Sequence, residues 1–483
     1  MAEILVLGAG LCGLSTAMLL ARDGHQVTVL ERDPAAPPEP AQAWEAWERR
    51  GVNQFRLPHV MLPPWRARME RELPEVLDEL LAAGGLRLDT LAMLPESRRG
   101  PRRDGDERFA TVTARRPVLE AAVAAVADRT PGVTIRRGVA VTGLLADSPA
   151  RACAARGGAA QVRGVLAAGG QALRADLVVD CCGRRSPLGS WLEAIGAPRP
   201  AEEREDCGFF YYGRHFRTRT GELLPRAETG LLTHYDSVSV LTLPGDNGTW
   251  SVVLTTASRD RHLHALREPD RWDAALARYP LAAHWRDGEP ITGVDVMAGL
   301  EDRHRRLVVG GVPVATGVVA VGDAWACTNP SLGRGASIGL LHACVLRDVL
   351  RDVDSGDVSG DPEKLVRRFD EVTAAVVEPL YRTTLWFDRN RLAEVAADAG
   401  GGDGASGGAG DPRWAASKAL FAASLADQDL MREYLSVALL LSPADEVFGR
   451  PGVAERVMRL GAHAPRYPLP GPSRRELLAA ISG

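Results

Sequence analysis

The chain has 483 residues, of which 45% are hydrophobic and 25% are charged, and its formal net charge is −4. This length and composition predict a soluble globular protein of two or three connected domains. The mildly acidic balance argues against nucleic acid as a partner, and no uncharged apolar run is long enough to predict a transmembrane segment.

The N-terminus and the cysteines bear on location. Residues 1–10 lack the basic region and apolar stretch of a secretory signal. The seven cysteines are scattered without metal-ligand spacing, and the neighbours Cys181 and Cys182 are poorly placed for a disulfide with each other. A reducing cytoplasm is therefore the expected location, and no metal site is predicted.

A βαβ unit is predicted at the start of the chain. Residues 4–7 form a short apolar run typical of a strand buried on both faces, and glycines follow directly. The next helix is expected to end at Gly24, and residues 27–30 supply a second strand that closes on Glu31.

Later elements alternate between helical and strand patterns, and Pro- and Trp-rich residues 34–64 have little periodicity of either kind. The predicted elements are a helix around 66–83, a helix from Pro117, strands at 133–135, 139–144, 162–167 and 177–179, aromatic and β-branched strands of a separate antiparallel sheet between 187 and 300, a buried strand at 318–321, a long helix through Val349, a flexible linker at 400–410, helices over 414–441 and an extended tail at 465–472.

Residues 8–13, Gly-Ala-Gly-Leu-Cys-Gly, fit the dinucleotide-binding fingerprint. Its glycines serve the tight turn, the approach of pyrophosphate to the backbone and the packing of the helix. The N-terminus of the following helix offers free N–H groups to phosphates. Glu31, with Arg32 beside it, stands where a carboxylate accepts the ribose hydroxyls. The fingerprint alone does not distinguish FAD from NAD.

Two later motifs carry a family resemblance. Residues 320–324, Ala-Val-Gly-Asp-Ala, and residues 329–337, Asn-Pro-Ser-Leu-Gly-Arg-Gly-Ala-Ser, resemble the second FAD motif and the flavin-facing loop of the FAD-dependent monooxygenases related to aromatic hydroxylases and to polyether and squalene epoxidases. The resemblance covers about residues 1–350. It implies that Asp323 holds the ribityl chain of FAD and that Arg116, or the adjacent Arg115, reaches the FAD phosphates.

The resemblance implies an α/β fold, α+β overall, built on a Rossmann FAD-binding domain of the glutathione-reductase type. The expected domains are a discontinuous FAD-binding domain at 1–80, 110–186 and 300–385, a substrate-binding domain with an antiparallel sheet at 81–109 and 187–299, and a helical C-terminal region at 386–483 with a flexible linker at 399–411. The expected cofactor-binding residues are Gly8, Gly10, Leu11, Cys12, Gly13, Glu31, Arg32, Arg116, Val141, Gly322, Asp323, Pro330, Gly333, Gly335, Ala336 and Ser337.

The family chemistry implies transfer of an oxygen atom from a flavin hydroperoxide, formed with O2, to an apolar aromatic or alkene-containing small molecule. Hydroxylation and epoxidation are both open, and the resemblance suggests bacterial secondary metabolism. Because the cofactor performs the difficult step, no catalytic triad is required. The candidate hydrogen-bond donors are His59 and Gln54, and the candidate substrate-pocket residues are Tyr211, Tyr212, His234 and Trp250, with a structural role as the alternative for the histidines and aromatic residues.

Residues 180–186, Asp-Cys-Cys-Gly-Arg-Arg-Ser, depart from the family pattern. Cys182 stands where family members that bind NADPH directly carry an aspartate, and no second dinucleotide fingerprint follows. NAD(P)H is therefore expected as the electron source, either directly or through a separate flavin reductase. Asp180 is expected to have either a structural role, in which it caps or braces this turn, or a catalytic one.

The sequence leaves four other functions to compare with oxygenation. An FAD-dependent oxidase or dehydrogenase that withdraws hydride is the main alternative, and a non-enzymatic lipid-binding escort is another. Halogenation is disfavoured because both lysines, Lys364 and Lys418, follow the second FAD motif. A serine-hydrolase elbow at 335–339 is disfavoured because Pro330 and Gly333 separate the predicted strand from Ser337.

Overall fold

A computed structural model describes residues 1–49, 51–147, 159–219, 222–352, 361–399 and 411–482. The predicted linker at 399–411 lies, except for its two ends, outside these residues. Within the described ranges, no helix combines the length and the apolar character that a membrane crossing requires.

The strands of the described residues are β1 (Glu3–Leu7), β2 (Gln26–Glu31), β3 (Leu86–Asp89), β4 (Ala110–Thr113), β5 (Val133–Arg137), β6 (Val141–Ala146), β7 (Ala160–Ala167), β8 (Ala172–Arg174), β9 (Leu177–Asp180), β10 (Ala201–Asp206), β11 (Phe209–Arg217), β12 (Leu232–His234), β13 (Val238–Pro244), β14 (Thr249–Ala257), β15 (Glu289–Pro290), β16 (Asp295–Met297), β17 (Glu301–Arg306), β18 (Val308–Val309), β19 (Val312–Pro313), β20 (Ala315–Thr316), β21 (Val318–Ala320) and β22 (Ala326–Cys327).

The α-helices of the same residues are α1 (Leu11–Arg22), α2 (Ala43–Ala46), α3 (Pro63–Glu72), α4 (Pro74–Ala82), α5 (Glu96–Arg99), α6 (Arg116–Asp128), α7 (Leu188–Ala194), α8 (Pro269–Leu276), α9 (Gly335–Asp352), α10 (Pro362–Val376), α11 (Glu378–Ala399), α12 (Pro412–Ser424), α13 (Gln428–Ala438), α14 (Ala444–Gly449), α15 (Val453–Gly461) and α16 (Arg474–Ile481).

A parallel sheet of order β21-β9-β1-β2-β5 forms the core of the nucleotide-type half. Its strands are short apolar runs because both faces are covered, with Val6, Val29 and Val179 fully buried. The carboxyl ends of β1, β2, β9 and β21 meet at one edge, the edge at which α/β sheets bind ligands. The predicted Rossmann-type α/β fold is confirmed.

A second sheet, of order β12-β13-β14-β11-β15, is antiparallel. One face packs on a separate aromatic core that includes Phe216, Trp250, Trp272 and Trp285. This is the antiparallel sheet that the aromatic and β-branched pattern predicts between 187 and 300. The domain bounds themselves stay a prediction.

Local breaks divide some predicted helices. The predicted helix around 66–83 is two helices, because Pro74 occupies the first position of α4 and cannot continue α3. The predicted helical stretch at 414–441 is also interrupted, and the Asp427 side chain accepts the backbone N–H groups of Asp429 and Leu430 to begin α13. The sequence reading missed α16, which follows the extended tail and begins with a capping box of Ser473 and Glu476.

Candidate functional site

A cavity of about 1640 Å³ opens at the carboxyl edge of the parallel sheet. One part of its lining comes from the loops after β1, β2, β9 and β21 and from the segment between β22 and α9. The other part comes from β12 and β13 of the antiparallel sheet and from α11, α12 and α13. A single cavity therefore joins the dinucleotide edge to a pocket at the C-terminal helices.

The glycines at 8, 10 and 13 have different surroundings. Gly8 has φ +99°, and a Cβ there would lie 2.8 Å from the carbonyl oxygen of Cys181. A Cβ on Gly13 would lie 2.0 Å from the carbonyl oxygen of Gly8, so this glycine lets α1 pack against the turn. A Cβ on Gly10 would meet nothing within 4 Å, and Gly10 lines the cavity. The backbone at Gly10 is thus open to a ligand.

Two buried glutamates and two arginines form a charged network beside this loop. Arg49 donates to Glu31 Oε2 and to Glu120 Oε2, each at 2.7 Å, and Arg116 Nε donates to Glu120 Oε1 at 2.5 Å. The two arginines lower the pKa of Glu120 against the opposing effect of burial, so it stays ionised. Glu31 also accepts the backbone N–H of Ala9 at 2.9 Å, which ties the end of β2 to the glycine loop.

Asp323 and the loop at 330–336 lie on the same cavity. The Asp323 carboxylate has no hydrogen bond or ion pair with any described residue. Gly333 has φ +64°, and Gly335, the first residue of α9, has nothing within 4 Å of a hypothetical Cβ. An unpaired carboxylate, open backbone and a helix N-terminus therefore share one wall.

The turn after β9 is held by Asp180, which is fully buried. Its Oδ1 accepts the backbone N–H of Cys182 at 2.9 Å, and its Oδ2 accepts the hydroxyl of Ser186. Asp180 thus braces the turn, which is the structural role that the sequence allows for it.

Comparison with known proteins assigns the N-terminal unit. Residues 6–36 match the NAD(P)-binding Rossmann-like domain. The chain is 28% identical over 403 residues to the protein Rv3254 of Mycobacterium tuberculosis, and the match covers 78% of this chain and 78% of that protein. A stretch of 41 residues, 8% of each chain, is 58% identical to the aklavinone 12-hydroxylase RdmE of Streptomyces purpurascens.

Two solved structures resemble this fold. PqsL of Pseudomonas aeruginosa, a probable FAD-dependent monooxygenase, has a TM-score of 0.55 at 17% identity over 82% of this chain and 99% of its own. The flavin-dependent halogenase CmlS has a TM-score of 0.57 at 14% identity over 100% of this chain and 76% of its own. The chain thus shares the fold of these flavin-dependent enzymes. The resemblance stated from the motifs is confirmed at the level of the fold.

Two observations show whether the residues of this cavity fit FAD. Gly10 leaves open space at the N-terminus of α1, where a pyrophosphate needs close access to backbone N–H groups. The unpaired Asp323 carboxylate is a suitable acceptor for sugar hydroxyls. Both face one cavity, so the residues present fit the cofactor.

Most of the expected FAD-binding residues line this cavity. Gly13 and Ser337 do not: Gly13 packs against Gly8, and Ser337 is buried in the first turn of α9. Arg115 pairs with buried Asp246 at 2.6 Å, so of these two neighbouring arginines it is Arg116 that lines the cavity. The expected residues on the lining are Gly8, Gly10, Leu11, Cys12, Glu31, Arg32, Arg116, Val141, Gly322, Asp323, Pro330, Gly333, Gly335 and Ala336.

His59 and Gln54, the expected hydrogen-bond donors, also line the cavity. Both ring nitrogens of His59 are already engaged. Nε2 lies 2.6 Å from Arg116 Nη1 and must accept, and Nδ1 then donates to the carbonyl of Leu57 at 2.9 Å. Burial lowers the pKa of His59 to about 3, so the ring is neutral. This geometry argues against His59 as a donor into the cavity and makes it a positioning residue for Arg116.

Three of the four residues expected in the substrate pocket lie elsewhere. Tyr211 is buried and donates its hydroxyl to Asn329 Oδ1. Tyr212 and Trp250 belong to the aromatic core, where Trp250 Nε1 donates to the carbonyl of Trp285 at 2.6 Å. His234 alone of the four lines the cavity of the described structure.

The C-terminal helices supply pocket residues that the sequence reading missed. The Phe387 ring lies 5.3 Å from Trp414 and 5.4 Å from His234, centroid to centroid. Lys418 and Glu394 also line the cavity, and Lys418 Nζ lies 3.0 Å from Glu394 Oε1. The sequence alone could not identify the aromatic ones, because aromatic residues at these positions of two helices are equally compatible with a hydrophobic core and with a pocket.

Proposed function

We propose that this protein is an FAD-dependent monooxygenase that places one oxygen atom of O2 on a mainly apolar aromatic or alkene-containing small molecule, by hydroxylation or epoxidation. The observation that carries the proposal is the continuous cavity, lined by the glycine loop and Asp323 and also by aromatic side chains of α11 and α12. This arrangement brings a cofactor edge and an apolar pocket into one continuous space.

The chain's own residues bind and orient the cofactor. The N–H groups at the start of α1 and the guanidinium of Arg116 hold phosphates, Glu31 accepts ribose hydroxyls and Asp323 accepts hydroxyls of the ribityl chain. The open N-terminus of α9 stabilises negative charge at its end of the cavity. FAD, when bound, supplies the redox chemistry that activates O2.

The aromatic pocket orients the substrate and excludes water. Trp386, Phe387, Trp414 and Phe421 line it together with Leu420. Apolar walls of this kind bind flat apolar molecules by burying their surface, and a water-poor site protects reactive species from hydrolysis. We also propose that NAD(P)H supplies the electrons, directly or through a flavin reductase, and that the reaction serves secondary metabolism.

The test uses the purified protein after it has been loaded with FAD. The reaction contains 18O2, a flavin reductase and either NADPH or NADH. The aromatic probe is 1-naphthol and the alkene probe is styrene. We expect a product heavier by one labelled oxygen atom in at least one reaction. An oxidised product without label would instead support the oxidase or dehydrogenase alternative, and failure of the protein to take up FAD would overturn the proposal. Omitting the reductase in a parallel reaction shows whether the protein uses NAD(P)H directly.

Halogenation is a second candidate because of Lys418. The sequence places both lysines after the second FAD motif, yet Lys418 lines the cavity, and burial lowers its pKa. A lysine amine in the pocket can hold or activate an electrophilic halogen species. Adding bromide to the 1-naphthol reaction tests this candidate: a brominated product that Lys418→Met abolishes would support it, and its absence would leave oxygenation as the reaction.

A further inference from the structure

Arg334 is a buried arginine in the cavity lining with almost no partner. It is 5% exposed, and its Nη1 lies 3.3 Å from Thr384 Oγ1 at the far limit of a hydrogen bond. Its Nε is buried without a partner. No described carboxylate lies within ion-pair distance of its guanidinium.

Other buried arginines of the described structure are neutralised by carboxylates. Arg115 pairs with Asp246 at 2.6 Å, Arg432 with Asp106 at 2.7 Å and Arg391 with Glu394 at 2.9 Å. Arg303 is an exception, but it donates to the backbone carbonyl of Arg184 and does not line the cavity. A buried cation without a counter-charge is costly, and at Arg334 this cation faces the cavity.

The neighbouring carboxyl does not neutralise Arg334. Asp388 accepts the Ser331 hydroxyl at 2.8 Å through Oδ1, and its Oδ2 is buried without a partner. Burial raises the pKa of Asp388 to about 7, so it is only partly ionised at neutral pH. Burial lowers the pKa of Arg334 to about 10, which still leaves it protonated.

Arg334 lies next to the aromatic part of the pocket. Its contact Thr384 is one helical turn before Phe387 on α11, so the two side chains share a face of that helix. Phe387 in turn packs against Trp414 and His234. A ligand that fills the aromatic pocket can thus extend a polar group to Arg334.

We propose that Arg334 binds a carboxylate of the substrate, which makes the substrate class an aromatic or polycyclic organic acid. This inference rests on the proposed function and narrows it. The planar guanidinium offers a fork of donors that matches a carboxylate, and apart from the long Thr384 contact Arg334 has no partner among the described residues of the cavity lining. A carboxylate here supplies the missing counter-charge.

The first experiment measures binding of 1-naphthoate by calorimetry to the FAD-loaded protein, with 1-naphthylmethanol as the neutral analogue. We expect naphthoate to bind more tightly than the alcohol, and Arg334→Met to weaken naphthoate binding about ten- to hundredfold with little effect on the alcohol. Arg334→Lys should restore part of the difference. Arg413→Gln is the matched control, because it removes the same formal charge as Arg334→Met. Arg413 also lines the cavity, but its side chain is 76% exposed.

The second experiment measures thermal unfolding without ligand. Removing an unneutralised buried cation should leave the melting temperature of Arg334→Met equal to or above that of the native protein, whereas replacing a structural arginine would lower it. Equal naphthoate affinity in the native protein and in Arg334→Met would overturn the inference. So would a variant that loses FAD affinity but keeps naphthoate binding, since Arg334 would then serve the cofactor. Calorimetry on the FAD-free protein tests Arg334 even if the oxygenase proposal fails.

Discussion

Alanine substitutions at Gly10 and Gly13, three residues apart in the glycine loop, should have different consequences. Gly10 has φ −88° and ψ −178°, which alanine adopts freely, and a Cβ there meets nothing within 4 Å. In Gly10→Ala, the reduced conformational entropy of the unfolded chain should raise the free energy of unfolding by about 0.4–1 kcal/mol. Alanine is a poorer N-cap residue than glycine, which should lower the free energy of unfolding by a similar amount. The stability of the FAD-free protein should therefore change by less than about 1 kcal/mol.

The same methyl group occupies the space that a pyrophosphate needs. Hydrogen bonds to charged groups contribute about 1.5–3 kcal/mol and the helix N-terminus about 0.3–1 kcal/mol. Their loss in Gly10→Ala should raise the Kd for FAD by roughly twentyfold to a thousandfold. In Gly13→Ala the new Cβ would lie 2.0 Å from the carbonyl oxygen of Gly8. Because backbone must move, this variant should lose about 1–3 kcal/mol of stability or more, even without FAD.

The assay compares thermal unfolding of the FAD-free proteins and FAD titrations followed by flavin fluorescence. The expected pattern is a normal melting temperature with weak FAD binding for Gly10→Ala, and a lowered melting temperature for Gly13→Ala. If Gly10→Ala bound FAD as tightly as the native protein, phosphates would not approach Gly10, and the assignment of this loop would be refuted.

Three further predictions follow from buried or unpaired charges. Glu120→Gln should lower the free energy of unfolding by about 3–5 kcal/mol, because Arg49 and Arg116 lose their shared counter-charge; urea unfolding measures it. Asp323→Asn should weaken FAD binding in the same titration without lowering the melting temperature, since no described residue pairs with this carboxylate. For Asp388, burial raises the pKa from 3.8 to about 7, so the folded state binds the proton more tightly, and the associated stability is complete below pH 4 and lost as the pH rises through 7. Asp388→Asn should reduce the fall in stability between pH 4 and 7, and an unchanged fall would contradict the burial argument.

The dinucleotide half could be predicted because its signals are local. The strand, the glycines at 8, 10 and 13, and the carboxylate of Glu31 follow one another within a single βαβ unit, and each has a role set by backbone geometry. The motifs at 320–324 and 329–337 likewise predicted that the loop before α9 would line the same cavity as Asp323. The network of Arg49 with Glu120 could not be predicted, because its members are 71 positions apart and a buried ion pair leaves no periodic pattern.

The antiparallel sheet could be predicted from the sequence, but the residues that form the aromatic part of the cavity could not. Tyr211 and Tyr212 are neighbours on β11, so their side chains point to opposite faces. One face contacts Asn329 and the other joins the aromatic core, and neither tyrosine lines the cavity. The pocket comes instead from Phe387 and Trp414, on helices whose packing partners the sequence does not specify.

The strand order of the parallel sheet bears on synthesis at the ribosome. β1 pairs with β2 almost at once, but its other neighbour, β9, begins at Leu177, and β9 must await β21 at Val318 for its own partner. Nascent chains therefore carry an unsatisfied, apolar strand edge through most of translation, the kind of edge that promotes aggregation. A chain cut before Val318 should precipitate even though it retains the whole glycine loop, and slower translation or added chaperone should raise the yield of the intact protein.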